Sequence, residues 1–294
     1  MSTFTTYQSI GQREDLLNAI YDISPTTTPF MSTIGKNKAT ATYHEWQTDS
    51  LAAVDLTNAK VEGADAVSPT LAATTRVGNY TQISDKVVQV STTDDKVDKA
   101  GRSTDTAYNL AKASSELKRD MESILLSDQA QDAGGAAKAR KLGGLGSWIT
   151  TNQVDTAGGA LTEDMLKEAV LDAYNEGGTP TMLLVSPANK QVVSLFPGIA
   201  EQRYQAPSTG QTKIVGAADV YMSDFGTLSV VPDRFLSDEF TYVLDPSMAA
   251  VSYLRPFKQT KLAKTGDSEK YLMNVEYTLQ VNNEAAHAVI TDLT

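Results

Sequence analysis

His44 and His287 are the only imidazoles in the 294 residues, and cysteine is absent. That absence excludes disulfides, thiolate metal centres, iron–sulfur clusters and a cysteine nucleophile. Two histidines from one chain cannot build a three-histidine zinc site. His44 stands beside Glu45 in the β-prone stretch Thr40 to Thr48. Adjacent residues on a strand point to opposite faces, so the two make no acid–base pair, and His44 is expected to be a packed or hydrogen-bonded strand histidine. His287, among Ala286, Ala288 and Val289, is read the same way. Serines and aspartates are plentiful, but nothing in their spacing points to a Ser–His–Asp triad. No phosphate-loop, dinucleotide, nucleophile-elbow or zinc-protease motif occurs. Gly143-Gly144-Leu145-Gly146 has no strand leading in and no Lys-Ser/Thr after it, so it reads as a flexible connector. Asp94-Asp95 lacks the spacing of a calcium loop and reads as a solvated turn. The expectation is a chain with no catalytic residues, no metal and no cofactor.

Composition narrows the classes further. Lys and Arg number 25 against 36 Asp and Glu, a net charge of −11. A DNA-coating role needs clustered cations to displace counterions, and this balance argues against it. Lys96, Lys99, Arg102, Lys112, Lys118 and Arg119 are interleaved with acids, as in a surface or subunit-facing salt-bridge face. A mean hydropathy of −0.26 with 21% charged residues fits a folded chain. Met1 to Ile20 is polar, without a basic start or apolar core, so no secretory signal is expected. Apolar runs such as Met182 to Val185 fall far short of the ~20 residues of a bilayer span. The expected compartment is the cytoplasm, with no membrane contact.

The elements that would position such surfaces follow from periodicity. Gln12 to Asp22 has a short amphipathic pattern, and Thr26 to Thr28 between Pro25 and Pro29 reads as rigid and extended. These residues form an arm with little core of its own. Two β-prone stretches, Thr40 to Thr48 and Arg76 to Ser91, flank the 27 residues Asp49 to Thr75. A loop that long inside a domain suggests function, and an isolated ribbon is marginal in water. A projecting hairpin that rests on another subunit is therefore expected. Thr104 to Gln131 predicts a long helix with one apolar face, Leu110, Leu117, Met121, Ile124 and Leu125, and with Glu122 among its polar residues. After the glycine-rich segment Gly143 to Gly159, an α/β pattern begins with a helix at about Thr162 to Asn175. A buried strand Thr181 to Ser186, a Pro187-led helix and several short strands follow. The tail is β: Tyr271 to Val281 alternates as a one-sided strand, pairs with Phe257 to Leu262, and is joined by Ala286 to Thr291.

Three strings then carry a resemblance: Gly11-Gln12-Arg13-Glu14-Asp15-Leu16, Ile23-Ser24-Pro25-Thr26-Thr27-Thr28-Pro29-Phe30, and Ala41-Thr42-Tyr43-His44-Glu45-Trp46-Gln47-Thr48-Asp49. With the loop's Glu62-Gly63 and the order of elements, the chain resembles the tailed-phage major capsid proteins of the HK97-like fold, in the subgroup of phage SU10. The resemblance implies an α+β fold with an N-terminal arm (1–37), an extended β-hairpin loop (38–93), a peripheral domain with a spine helix (94–146), an axial domain (147–252) and return strands of the peripheral domain (253–294).

It also implies function: pentamers and hexamers closing an icosahedral head around double-stranded DNA, without specific DNA binding. Expected partners are the chain itself, a separate scaffolding protein, a portal and a decoration protein; the virion is assembled in the bacterial cytoplasm. No scaffolding segment is expected within the chain. Arg13, Glu14, Pro25, Pro29, Phe30, His44, Trp46, Lys60, Glu62, Gly63 and Arg76 are the expected subunit-interface residues. Some relatives cross-link through a lysine and an asparagine, but Lys60 alone predicts no such bond. Two other readings compete: a phage decoration or tail-associated protein-binding module, and a hydrolase using His44 or His287.

Overall fold

A computed structural model of the chain describes residues 27–66, 73–97, 104–196 and 219–294. A short helix α1 (Pro29–Thr33) and strand β1 (Gly35–Lys38) precede a ribbon of β2 (Tyr43–Thr48) and β3 (Thr75–Tyr80). Strand β4 (Gln82–Ser91), the long helix α2 (Asp105–Leu126) and the one-turn helix α3 (Leu145–Trp148) follow. Next come β5 (Gln153–Asp155), α4 (Glu163–Asn175), β6 (Met182–Val185), α5 (Pro187–Val193), β7 (Val220–Ser223), β8 (Gly226–Pro232) and β9 (Thr241–Leu244). Two long strands, β10 (Ala249–Lys261) and β11 (Ser268–Val281), lead to β12 (Ala288–Thr291). The strands sort into a four-stranded sheet β1-β10-β11-β4, a six-stranded sheet β5-β12-β9-β6-β8-β7, and the ribbon β2-β3.

The uninterrupted apolar run Met182–Val185 is what a strand buried on both faces requires, and β6 lies inside the six-stranded sheet. Met182 and Leu184 join Leu117, Met121 and Leu125 of α2, whereas Leu183 and Val185 join Leu166, Ala169 and Val170 of α4. Thr162 caps α4 by accepting the Met165 N–H (3.3 Å), and Glu163 and Asp164 occupy its first turn, where the helix dipole favours acids. Strand β12 departs from expectation. It enters this sheet between β5 and β9 and not the sheet of β10 and β11. Ala288, Val289 and Ile290 are consecutive buried residues, which suits a place covered on both sides.

Helix α2 bridges the two sheets. It stops at Leu126, short of the predicted end, because the Ser127 and Gln129 carbonyls turn to accept the Gly146 (3.1 Å) and Gly144 (2.9 Å) N–H groups. The glycine run 143–146 is thus a packed seam, not a flexible connector. A Cβ on Gly144 would lie 2.2 Å from the Ser127 carbonyl oxygen, while Leu145 and Ile149 beside it are fully buried. Glu122 also departs from its predicted polar face and is completely buried.

Strand β11 is not one-sided. Val275, Tyr277 and Leu279 face the core, yet Glu276 and Thr278 on the opposite face are buried as well. Their cover is the root of the ribbon and the loop carrying Arg140. The predicted continuous strand 76–91 changes sheets at Thr81. Strand β3 pairs only with β2, and β4 pairs with β11. Thr81 is buried at the crossover. Its N–H donates to the Thr42 carbonyl (2.8 Å), its hydroxyl donates to Glu276 (2.9 Å), and its carbonyl accepts from Arg140 Nε (2.7 Å). Glu276 is itself paired with Arg140 and with Arg255 Nε (2.7 Å).

Two substitutions test these contacts. Glu276→Gln leaves Arg140 without its charge partner and is expected to lower stability by about 3 kcal/mol, read as a lower denaturation midpoint of the unassembled chain at unchanged slope. Gly144→Ala should destabilise by more than about 2 kcal/mol, whereas Gly135→Ala, where a Cβ meets nothing within 4 Å, should change stability by under about 0.5 kcal/mol.

Candidate assembly surface

The ribbon β2–β3 is clamped at its root and open at its tip. Asn79 is fully buried; its amide donates to the Gly143 (3.0 Å) and Leu279 (2.9 Å) carbonyls, and its oxygen accepts the Gly143 N–H (2.7 Å). His44 Nε2 lies 3.1 Å from Gln280 Oε1, which also accepts from Asn37 and Ser252. The Trp46 ring packs on Trp148 at 5.4 Å, and Tyr43 on Tyr80 at 4.5 Å. Gly78 opposes Glu45 because a Cβ there would come within 2.8 Å of the His44 carbonyl. On that same face, opposite to the one bearing His44 and Trp46, Arg76 pairs with Glu45 at 2.6 Å. One face of the ribbon thus holds the body and the other faces solvent.

Beyond the ribbon, residues 49–66 touch little of their own subunit. Leu51 is 99% exposed and Leu56 94%, and Val54 and Val61 are also largely bare. Four acids, Asp49, Asp55, Glu62 and Asp65, accompany a single Lys60 in this segment. Gly63 turns the chain at φ +82°. Exposed aliphatic side chains gathered on one extended segment mark a contact surface.

A second open surface lies on the four-stranded sheet. Helix α2 covers one face, where Lys86 reaches Asp120 (2.7 Å) and Val88 and Val90 pack near Ala113. The alternate residues of β4 turn to the other face. Ile83 and Val87 there are 50% and 55% exposed, with Leu272 directly opposite Val87. Lys270 opposes Gln89, and Lys258 lies across from Asn274. The result is a strip of Ile83, Val87 and Leu272, interrupted by the exposed Asp85 opposite Asn274 and bordered by lysines. A third patch sits over α4, where Leu171, Tyr174 and Phe225 are partly exposed and the last two rings are 4.7 Å apart.

The sequence-predicted interface residues divide accordingly. Arg13, Glu14 and Pro25 lie outside the described residues. Pro29 opens α1, and Phe30 is wholly buried in the core of its own subunit. His44 and Trp46 are engaged within the chain, as above. Lys60, Glu62, Gly63 and Arg76 are exposed. Sequence reasoning passed over Leu51, Val54, Leu56, Ile83 and Val87. Four aliphatics spaced through an Ala-, Thr- and Asp-rich loop were the available signal for that segment. His287 is buried, its Nδ1 accepts the Asp245 N–H (3.2 Å), and burial pushes its pKa down to about 4, leaving it neutral at pH 7. Among the described residues neither histidine is hydrogen-bonded in a Ser–His–Asp triad. Among the described residues no group of His, Asp and Glu is placed to hold a metal ion, and no helix is long and apolar enough to cross a membrane.

Known proteins are similar to this chain in sequence and in fold. The family model described as SU10 major capsid protein matches residues 1–294. The major capsid protein of Escherichia phage Phieco32 is 27% identical, over 98% of this chain and 96% of its own. The capsid structure of cyanophage A-1(L) superposes with a TM-score of 0.66 at 14% identity, covering 99% of this chain and 98% of that one. The holo-SrpI encapsulin of Synechococcus elongatus PCC 7942 does so with a TM-score of 0.59 at 15% identity, covering 97% and 96%. The fold is thus α+β and HK97-like, and a match spanning every residue joins the exposed loop and the buried seams to one lineage: the chain belongs to the SU10 major capsid protein family.

Proposed function

We propose that this chain builds its shell as pentamers and hexamers that close an icosahedral head around double-stranded DNA. It acts through contacts between copies and not as an enzyme. The observation that carries the reading is the segment 49–66, whose aliphatic side chains are presented to solvent on a ribbon clamped at its root. Exposing them is unfavourable by roughly 25 cal/mol per Å², so a covering surface is expected. The open strip of Ile83, Val87 and Leu272 on a neighbouring copy offers that cover. Its lysines 258 and 270 complement the acids of the loop. A contact in which one surface meets a different surface on the next copy generates rings and nets. Each contact can be weak, because a closed shell repeats it many times.

The net charge of −11 supports a lining that surrounds DNA without gripping it. A separate scaffolding protein, a portal and a decoration protein complete the expected partners, with assembly in the host cytoplasm. The arm, with Arg13, Glu14 and Pro25, is expected to add further contacts between copies.

Replacing residues 50–66 by a short Gly-Ser linker should leave the circular dichroism of the chain unchanged and abolish shells in negative-stain images. Normal shells from this variant would refute the assignment of the loop. Val87→Asp changes an exposed side chain, so the single chain should unfold within about 0.5 kcal/mol of the parent. The concentration needed for assembly should rise at least about tenfold, as expected when a repeated contact weakens by about 1.4 kcal/mol. Unchanged assembly would move the docking site elsewhere.

A further inference from the structure

Helix α1 is held by an unusual cap. Thr28, at its N-cap, makes no side-chain bond to the helix. The free N–H groups of Phe30 and Met31 donate instead to the two carboxyl oxygens of Glu122 on α2, at 2.6 and 2.9 Å. Glu122 is fully buried among core residues. A second fully buried carboxyl, Asp233, follows β8. Its Oδ1 accepts the Phe235 N–H (2.8 Å), whereas Oδ2 is sealed from solvent with no donor in reach. The group it meets is the carboxyl of Glu122. Two acceptors therefore face each other, and a bond between them needs a proton on one.

Among the described residues, no cation is paired with either carboxyl. Helix α1 carries no ionisable side chain. On α2 the guanidinium of Arg119 sits over the Phe235 ring, 6.0 Å from its centroid. After Asp233, Arg234 lines a surface groove with Ser123, Asp128 and Glu239. Asp233 acts on Glu122 as a like charge. Like charges at such a site cannot both be carried in a dry interior.

We propose that Glu122 and Asp233 share one proton and form a latch that clamps α1 to α2, so that loss of this proton loosens the hold of α2 on α1. With the proton in place the pair carries one negative charge, spread over groups that also receive the two α1 N–H bonds. Without it two buried carboxylates repel. Burial, the largest cause, raises the Glu122 pKa to about 8 and moves that of Asp233 upward as well. A raised folded-state pKa stabilises fully below the unfolded value of 4.5, and that stability is lost as pH rises toward about 8. Opening of α1 thus becomes easier with increasing pH across this window and levels off above it.

Amide exchange of the full-length chain tests the latch, with each rate corrected for its intrinsic pH dependence. Peptides covering 29–34 should show an opening constant that rises about tenfold per pH unit between about pH 5 and 7.5, one proton being released on opening. Glu122→Gln and Asp233→Asn each replace the shared proton by an amide donor, and in either variant the slope should vanish. Helix α1 stays protected in Asp233→Asn, which leaves both Glu122 oxygens to accept from Phe30 and Met31, and is less protected in Glu122→Gln, whose amide nitrogen cannot accept. Two variants are used so that one decides if the other fails to fold; if both fail, the slope of the parent chain decides. Three results would overturn the proposal: no slope in the parent chain, the same slope in a folded variant, or an equal slope in peptides from α4, which would mark a global effect.

Discussion

A carboxylate in the middle of a strand decides where the ribbon leaves the body. Glu276 on β11 is buried, and a lone buried charge is untenable. Arg140 from the loop after α2, Arg255 from β10 and the hydroxyl of Thr81 all converge on it. Because Thr81 must stay at Glu276, the strand leading out of the ribbon ends there and a different strand begins. The sheet of β4, β10 and β11 and the ribbon β2–β3 are thereby two bodies with one fixed junction. Asn79 and the Trp46–Trp148 contact add stiffness around it. The charged cluster fixes geometry more than it contributes net stability, since desolvating three ions offsets much of their attraction.

The same geometry separates what is held from what is offered. Phe30, Trp46 and His44 stand in the most distinctive strings of the sequence, yet their side chains are engaged inside one subunit. The bare aliphatics occur in the least distinctive stretch. That inversion has a physical basis. Root residues must satisfy several partners at once, so their types are tightly constrained. A loop that lies on a partner needs only apolar area, modest charge and no structure of its own.

Much of the architecture was legible in the residues. The Thr162 cap, the Pro187 helix start and the run 182–185 each express a local rule, and the structure follows them. The misreadings share a cause, which is that they concern what lies on the far side of a residue. Glu122 looks like a surface acid on a helical wheel and is buried because α1 brings it two N–H donors. Gly143 to Gly146 looks like a hinge and is a seam, since only glycine lets two backbones approach so closely. The second face of β11 looks polar and exposed until Arg140 and the ribbon root cover it. Nothing local marks Ile83 and Val87 as an open strip, because the same alternation describes a strand covered by a second helix.

Strand β12 carries a consequence for biosynthesis. Residues 288–291 lie between β5 and β9, and no other segment fills that place in the sheet. A ribosome that has released residues 153–155 and 241–244 has therefore made two strands without the one that joins them. The six-stranded sheet is completed only after β12 emerges, and closing β5 onto it spans more than a hundred residues of chain, a slow kind of step. A polypeptide that stops before β12 would leave β5 without its partner strand and uncover Val243, which pairs with Ala288. Completion of this sheet therefore depends on a strand made long after the one it joins, β5.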